Sequence, residues 1–215
     1  MKTKSSKIMR VVTPVMLVLL LALNVFTLYK VYALENGYDE NTEDVAQEND
    51  VSIGDYVIKS TTQISDAYKS GDSSKLSDKD KETLDMAKSV LDGIITDGMT
   101  DYEKELAVYR WMTSNIGFDE NSLSVIPESE TGEVDNPYGV LKYHSAVCVG
   151  YATTFRLFMQ MMNIECMVVH DSYLSHSWDL VKLDGKWYHT DIYADTPGGN
   201  FSHFNVCDRT MMNAQ

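Results

Sequence analysis

Basic side chains are scarce in this 215-residue chain, which carries 18 lysines and arginines against 32 aspartates and glutamates. Residues 1–10 contain four basic side chains and no acidic one, so 14 basic and 32 acidic residues, a net charge of −18, remain for residues 11–215. A surface of this sign repels nucleic-acid phosphates. We therefore expect no nucleic acid among the partners.

Cysteine is also rare, with only Cys148, Cys166 and Cys207. The chain lacks the short paired spacing of cysteine and histidine that is typical of structural metal sites, so we expect neither a metal nor a cofactor. Cys166 lies in an apolar run and is expected to be a core residue. A disulfide between Cys166 and Cys207 is the alternative in an oxidising compartment, and we expect none.

The amino-terminal segment, residues 1–33, is a separate unit. Its basic end precedes an apolar run at residues 11–29, which is close to the roughly 20 residues that span a bilayer as a helix. The small-residue spacing at residues 31–33 is typical of signal-peptidase sites, so a cleaved signal peptide competes with an uncleaved transmembrane anchor. The length of the run favours the anchor. We expect a single-pass membrane protein with its domain outside the cytoplasm, or alternatively a secreted one.

Residues 34–50 are acidic and polar and are expected to form a flexible stalk. No internal repeat follows. The chain as a whole is 44% hydrophobic, enough for one ordinary core. The remaining residues, 51–215, are predicted to form one domain.

Three helices are predicted early in this domain. The first rests on apolar residues at helical spacing, the second on a Ser77 cap before a buried stripe, and the third on a Thr100–Glu103 capping box. The positions of the three apolar stripes are Ile53, Tyr56, Val57, Ile64, Ala67 and Tyr68; Leu84, Ala87, Val90, Leu91, Ile94 and Ile95; and Leu106, Tyr109 and Met112. A long polar segment, residues 117–137, is then expected to border the functional site.

Cys148 begins an apolar stretch that is predicted to be a long, buried helix, with the cysteine in its first turn. The positive end of a helix dipole favours a thiolate, which is the nucleophilic form of cysteine. From this stretch alone, an ordinary buried core cysteine is the favoured alternative.

Asp184 and Gly185 separate two β-rich runs and predict a tight hairpin turn. Pairing Leu183 with Lys186 would place His176 and Asp191 on one face as diagonal neighbours. The carboxylate could then hold the imidazole in one tautomer while the other ring nitrogen activates a thiol. Asp179, three residues after His176, is expected on the opposite face.

Four motifs in this order resemble the transglutaminase-like core of bacterial exported proteins: YGVL at 138–141, AVCVGYA at 146–152, HSWDLV at 176–181 and KWYHTD at 186–191. The helix at 102–119 and FNVCD at 204–208 resemble that family's lead-in and closing strand. The resemblance implies an α+β fold of papain-like architecture, with the cysteine on a central helix packed against an antiparallel sheet. It also implies Cys148 as nucleophile, His176 as general base and acid, and Asp191 as the orienting carboxylate.

The activity implied by this resemblance is acyl transfer at carboxamide or peptide bonds through a thioester. Protease, amidase and transglutaminase remain open, with proteins or peptides, including cell-wall peptides, as substrates. The Cys148 N–H is the expected oxyanion donor, and Tyr138 or His144 are candidates for a second. The alternative is a noncatalytic binding or scaffold module at the cell surface, because folds persist when functions change.

Overall fold

The computed structural model describes residues 49–53, 56–119, 133–196 and 198–214 of the chain. The predicted membrane segment at 11–29, the stalk as far as residue 48 and most of the predicted polar loop, residues 120–132, lie outside the described residues. Within the described ranges, no helix is long and apolar enough to cross a membrane.

Helices and short strands alternate along the described part of the chain. In order, the elements are β1 (Val51–Ile53), β2 (Tyr56–Ile58), α1 (Thr62–Ser70), α2 (Asp78–Ile94), α3 (Asp101–Asn115), β3 (Gly117–Phe118), α4 (Pro137–Tyr143), β4 (Ser145–Ala146), α5 (Cys148–Met161), β5 (Cys166–Asp171), β6 (His176–Leu183), β7 (Lys186–Thr190), α6 (Ile192–Asp195) and α7 (Asp208–Ala214).

The first predicted helix is wrong in its amino-terminal half, because residues 51–53 and 56–58 form two antiparallel strands and the helix begins only at Thr62. The β-branched residues Val51, Ile53, Val57 and Ile58 favour extended backbone, and this preference outweighs the helical spacing of Ile53, Tyr56 and Val57. Ile58 is buried in a small apolar cluster with Val147 and Val149, next to Cys148.

Both predicted helix starts further along the chain are confirmed. Ser77 Oγ accepts the N–H of Asp80 at 3.1 Å and caps α2. Thr100 and Glu103 form a reciprocal capping box at α3, in which the Thr100 N–H donates to Glu103 Oε2 at 2.8 Å. These bonds satisfy amide donors that the first turn of a helix leaves unpaired.

The predicted apolar stripes are buried in part. On α2, Leu84, Ala87 and Leu91 reach the core, whereas Val90, Ile94 and Ile95 are half-buried. On α3, Tyr109 and Met112 are buried and Leu106 is half-buried. An acidic residue, Glu105, occupies one of the innermost positions of that helix.

Strands β5, β6 and β7 form an antiparallel sheet in that order. The predicted hairpin register is confirmed, with Leu183 opposite Lys186 and Leu180 opposite His189. Both turn residues have positive φ, 49° at Asp184 and 75° at Gly185. A two-residue turn of this kind requires that backbone, which asparagine, aspartate and glycine adopt at the least cost.

Helix α5 is the centre of the domain and is buried along almost its whole length. It packs against β5 and β6 on one side and against α1 and α4 on others. The described residues therefore form an α+β structure in which the cysteine-bearing helix lies on an antiparallel sheet, as expected.

Candidate active site

Cys148 is the first residue of α5, and Val147 is the N-cap residue. The backbone just before it is fixed from two sides. Strand β4 pairs in parallel with β3, and the Val147 N–H donates to the carbonyl oxygen of Val134 at 3.0 Å. The first turn of α5 consequently has a defined position, and the prediction that Cys148 lies in it is confirmed.

Gly150, two residues after Cys148, permits a close approach between this turn and another segment. A Cβ at this position would lie 2.0 Å from the carbonyl oxygen of Val134. Gly139 on α4 is in the same situation, because its Cβ would lie 1.8 Å from the carbonyl oxygen of Glu133. Glycine is the residue that lets two backbones approach this closely.

His176 begins β6, and its Nε2 donates to Oδ2 of Asp191 at 2.6 Å. This is the contact that the hairpin register predicted. The imidazole also forms a hydrogen bond with the thiol of Cys148. Because Asp191 occupies Nε2, the ring nitrogen left for the thiol is Nδ1. The three residues are thus brought together with the imidazole in the middle.

The surroundings of His176 favour its protonated, positively charged form. Burial lowers the pKa of the imidazole, but the hydrogen bonds to Asp191 and Cys148 and the negative charge of both groups outweigh it and raise the pKa to about 10. An opposite charge within hydrogen-bonding distance stabilises the protonated ring in this way. At neutral pH the site therefore favours an imidazolium between two acceptors.

Asp191 lies just beyond the end of β7 and is 3% exposed. Its Oδ1 accepts the N–H of Ala194 at 3.0 Å, so the residue is also the N-cap of α6. Its own N–H donates to the carbonyl oxygen of His203 at 3.0 Å. Backbone and side chain are both held, and the carboxylate has little freedom to turn away from His176.

A second buried carboxylate, Asp195, supports the segment that holds Asp191. Its oxygens accept the His203 backbone N–H at 2.9 Å, the His203 Nδ1–H at 2.8 Å and the hydroxyl of Tyr109. Burial, followed by the bond to Asp195, raises the pKa of Tyr109 far above its ordinary value. Sequence reasoning missed this network, since Tyr109 gave only an apolar-face signal and Asp195 gave none.

Aromatic rings surround the imidazole of His176. Trp178 is stacked against it with ring centroids 5.8 Å apart, and Tyr193 lies at 5.5 Å. The Trp178 indole N–H donates to Nδ1 of His189 at 2.8 Å, which fixes the indole plane. The rings cover most of the His176–Asp191 pair, leaving the His176 side chain 19% exposed, and this apolar cover strengthens the attraction between the two groups.

Comparison with known proteins identifies the segment that contains these residues. A family model described as the transglutaminase-like superfamily matches residues 88–192. This segment belongs to the transglutaminase-like superfamily. Cys148, His176 and Asp191 all lie within the match.

Among solved structures, the chain is similar to one titled "Crystal structure of a TGase", at 15% sequence identity and a TM-score of 0.42. The similarity covers 59% of this chain and 36% of that one, so the chain spans little more than a third of the matched structure. No curated protein matches the chain.

Asp179 lies on the opposite face of β6 from His176. Its side of the strand is buried in the interior of the transglutaminase-like segment. The carboxyl is 2% exposed, and burial raises its pKa well above the ordinary value, while the charge of Arg156 acts against this. The Cys166 thiol donates to its Oδ1 at 3.5 Å. The orientation expected for Asp179 is found, yet the residue is structural rather than peripheral.

The two side chains considered as second oxyanion donors have other hydrogen-bond partners. The Tyr138 hydroxyl donates to Glu82 at 3.1 Å, and His144 Nδ1 lies 3.0 Å from the carbonyl oxygen of Asn115. Among the described residues, no group of three or more histidine, cysteine or acidic side chains is arranged to hold a metal ion.

Proposed function

We propose that this chain is a cysteine-dependent acyl-transfer enzyme that acts on carboxamide or peptide bonds. Cys148 is the nucleophile, His176 the general base and acid, and Asp191 the orienting carboxylate. The observation that carries the proposal is the imidazole of His176, whose Nε2 bonds to Asp191 at 2.6 Å while a hydrogen bond with Cys148 helps to raise the pKa of the ring. This is the geometry by which a base activates a thiol.

In the first half-reaction, the Cys148 thiolate attacks the carbonyl carbon of the substrate and forms a tetrahedral oxyanion. The carbon–nitrogen bond then breaks. His176 transfers its Nδ1 proton to the departing amine or ammonia, and the acyl group remains on Sγ as a thioester.

In the second half-reaction, water or an amine attacks the thioester carbonyl. The neutral His176 removes a proton from the attacking molecule, the carbon–sulfur bond breaks, and the thiolate is restored. Water gives a carboxylic acid, as in a protease or amidase, and an amine gives a new amide, as in a transglutaminase.

The oxyanion of both intermediates is stabilised by the first turn of α5. Its amide groups have no acceptor within the helix, and the Val147 side chain forms no capping bond. The N–H of Cys148 is therefore available to the carbonyl oxygen, with the positive end of the helix dipole behind it.

Asp191 contributes by fixing the ring. Its hydrogen bond to Nε2 directs Nδ1 towards the thiol and offsets the positive charge of the imidazolium. In a comparable triad, an amide at this position holds the wrong tautomer and lowers turnover by about 10⁴-fold.

The substrates we propose are proteins or peptides outside the cytoplasm, cell-wall peptides among them. The sequence supports this location, because the basic end and the apolar run at residues 11–29 direct the acidic remainder across a membrane. Anchoring by that run, with the domain outside, is favoured over secretion.

Alkylation of the thiols tests the proposal without knowledge of the substrate. Cys166 is half-buried, and burial raises the pKa of its thiol well above the ordinary value. Cys207 is exposed, and its bond to Thr210 lowers the pKa of its thiol, so it is best replaced by serine. In the Cys207→Ser protein, iodoacetamide at pH 7 should modify Cys148 much faster than Cys166.

Activity is then measured with protein and cell-wall peptide substrates by ammonia release and by mass spectrometry of new products. Turnover that disappears in Cys148→Ala supports the enzyme. A Cys148 thiol no more reactive than Cys166, together with no turnover of any substrate, would instead favour a noncatalytic module.

A further inference from the structure

Glu105 on α3 is a fully buried carboxyl with no exposed surface. Its Oε1 accepts the Thr190 hydroxyl at 3.0 Å, and its Oε2 lies 3.2 Å from Nδ2 of Asn205. The Thr190 hydroxyl oxygen in turn accepts the backbone N–H of Asn205 at 3.2 Å. Three residues that are far apart in the sequence thus form a closed triangle.

This triangle lies at both chain segments that hold Asp191. Thr190 is the residue directly before Asp191, and Asn205 follows closely on His203, whose carbonyl oxygen accepts the Asp191 N–H. Bonding to Glu105 therefore ties the end of β7 to the segment at 203–206. A displacement of the triangle would be passed directly to the Asp191 carboxylate.

The surroundings of Glu105 favour the neutral acid, because the carboxyl is fully buried and its described hydrogen-bond partners, Thr190 and Asn205, are both uncharged. Burial raises the pKa of Glu105 to about 7, although the bond from Thr190 acts against this. In addition, Oδ1 of Asn205 is buried and has no hydrogen-bond donor within the described ranges of the chain. An unpaired buried acceptor is costly.

A neutral Glu105 needs an acceptor for its proton, and Asn205 can supply one. The oxygen and nitrogen of an asparagine amide are assigned from their hydrogen bonds, so the Asn205 amide can be turned by 180°. Its Oδ1 then faces Oε2 of Glu105, and a protonated carboxyl donates to it. The proton that the buried acid retains then has an acceptor, and Nδ2 takes the buried place that Oδ1 held.

We infer that Glu105 is a positioning residue of the proposed active site, a neutral carboxylic acid that donates its proton to Asn205 and fixes Asp191 through Thr190. The inference rests on the proposed function. Ionisation of Glu105 removes the donated hydrogen bond and places an uncompensated charge in the interior. The hydrogen bonds among Glu105, Thr190 and Asn205 then weaken, and Asp191 is held less firmly in place.

The ionisable neighbours of Glu105 do not replace this proton. The Cys166 thiol and the Asp179 carboxyl couple to it electrostatically, and burial favours the neutral form of both. Other charged or titratable groups on surrounding elements include Arg156 on α5, Tyr109 on α3, His189 on β7 with its partner Asp208, Asp191 and Asp195 at the ends of α6, and His176 and His203. Of these, Arg156 faces Asp179, and the three histidines face carboxylates.

The test compares Glu105→Gln, which retains a neutral hydrogen-bonding group, with Glu105→Leu, which has a similar volume and no polar atoms. Both are made in the Cys207→Ser protein, and the rate of Cys148 alkylation by iodoacetamide is measured from about pH 5.5 to pH 8.5. Glu105→Gln should stay within about 2-fold of the parent at pH 6. Glu105→Leu should be slower by up to about 100-fold, the effect of a displacement near 1 Å at a reacting group.

The pH profile separates positioning from a purely structural role. Relative to Glu105→Gln, the parent should lose alkylation rate as the pH rises through 7, because only the parent ionises at this position. Parallel profiles for parent and Glu105→Gln, or equal rates for all three proteins, would overturn the inference. If Glu105→Leu does not fold, Thr190→Val replaces it, since it removes the bond to Oε1 at nearly constant shape.

A stability measurement distinguishes failure of this inference from failure of the proposed function. Urea unfolding midpoints in a Cys148→Ala background should coincide for parent and Glu105→Gln at pH 4 and below, diverge as the pH rises from about 4.5 to about 7, and differ by a constant amount above that, with the glutamine protein more stable. Divergence together with an unreactive Cys148 would contradict the proposed function alone. A reactive Cys148 without divergence would contradict the neutral Glu105 alone.

Discussion

Asp191 accepts the N–H of Ala194 with one carboxylate oxygen and bonds to His176 with the other. The same side chain therefore starts a helix and orients the imidazole. Asparagine preserves the first function, because its amide oxygen caps a helix as well as a carboxylate does. Alanine removes both, so asparagine is the informative replacement.

Asp191→Asn should lose the stability of the charged pair but still fold to the parent structure, and it should lower turnover by about 10⁴-fold, because the amide cannot balance the imidazolium and favours the wrong tautomer. Turnover and the urea midpoint are measured together. Asp184→Asn is the matched control, since it makes the same chemical change at an exposed turn of the same hairpin where φ is 49°. Equal damage in both variants would show that the choice of carboxylate is wrong.

The raised pKa of His176 predicts a particular dependence of stability on pH. A group whose pKa is higher in the folded protein adds stability that is fully present below its ordinary pKa of 6.5 and lost as the pH rises through about 10. The excess stability of the parent over Asp191→Asn should therefore be largest near pH 6 and shrink towards pH 10.5. Titration of Glu105 occurs in both proteins and cancels in this difference. A difference that does not change with pH would contradict the charged pair.

Gly150→Ala should destabilise the protein by about 3 kcal/mol or more, because its Cβ meets a backbone carbonyl at 2.0 Å and neither chain can move freely. Gly93→Ala on α2 is the control. Nothing lies within 4 Å of its Cβ, and alanine in a helix interior should stabilise by about 0.5–1 kcal/mol. Thermal unfolding of both proteins gives the comparison, and a neutral Gly150→Ala would show that Val134 does not lie so close.

An uncleaved anchor predicts that the full-length protein fractionates with membranes and keeps its original amino terminus. Sequencing of the terminus and carbonate extraction of membranes provide the measurement. A mature terminus at Leu34 and a protein released from the membrane would show a signal peptide instead.

The features that the sequence predicted well are those that depend on neighbouring residues. The Thr100 capping box, the Asp184–Gly185 turn and the start of a helix at Cys148 each rest on a few adjacent positions. The hairpin register then brought His176 and Asp191 together by simple geometry. The wrong helix prediction at the start of the domain has a local cause too. Ile53, Tyr56 and Val57 are too few to distinguish a helical from a strand periodicity, and strand propensity decided between the two.

The supporting acids could not be predicted, because their roles depend on contacts between residues far apart in the sequence. Glu105 occupies a helix position where a charged residue is normally exposed, and only its contacts with Thr190 and Asn205 explain its burial. Asp179 shows the same limit. Alternation along the strand gave its face correctly, but only the packing of α5 shows that this face is the interior.

The hydrogen-bond partners of Arg156 determine which residues a shortened recombinant protein must contain. This buried guanidinium on α5 donates to the carbonyl oxygen of Lys59 and, at 3.2 Å, to the Thr61 hydroxyl. A recombinant piece trimmed to the family match at 88–192 would contain Cys148, His176 and Asp191 but would deprive a buried cation of two acceptors. Boundaries chosen by homology should thus lower the stability of the fold, whereas boundaries near residues 49 and 214 retain every described partner of Arg156.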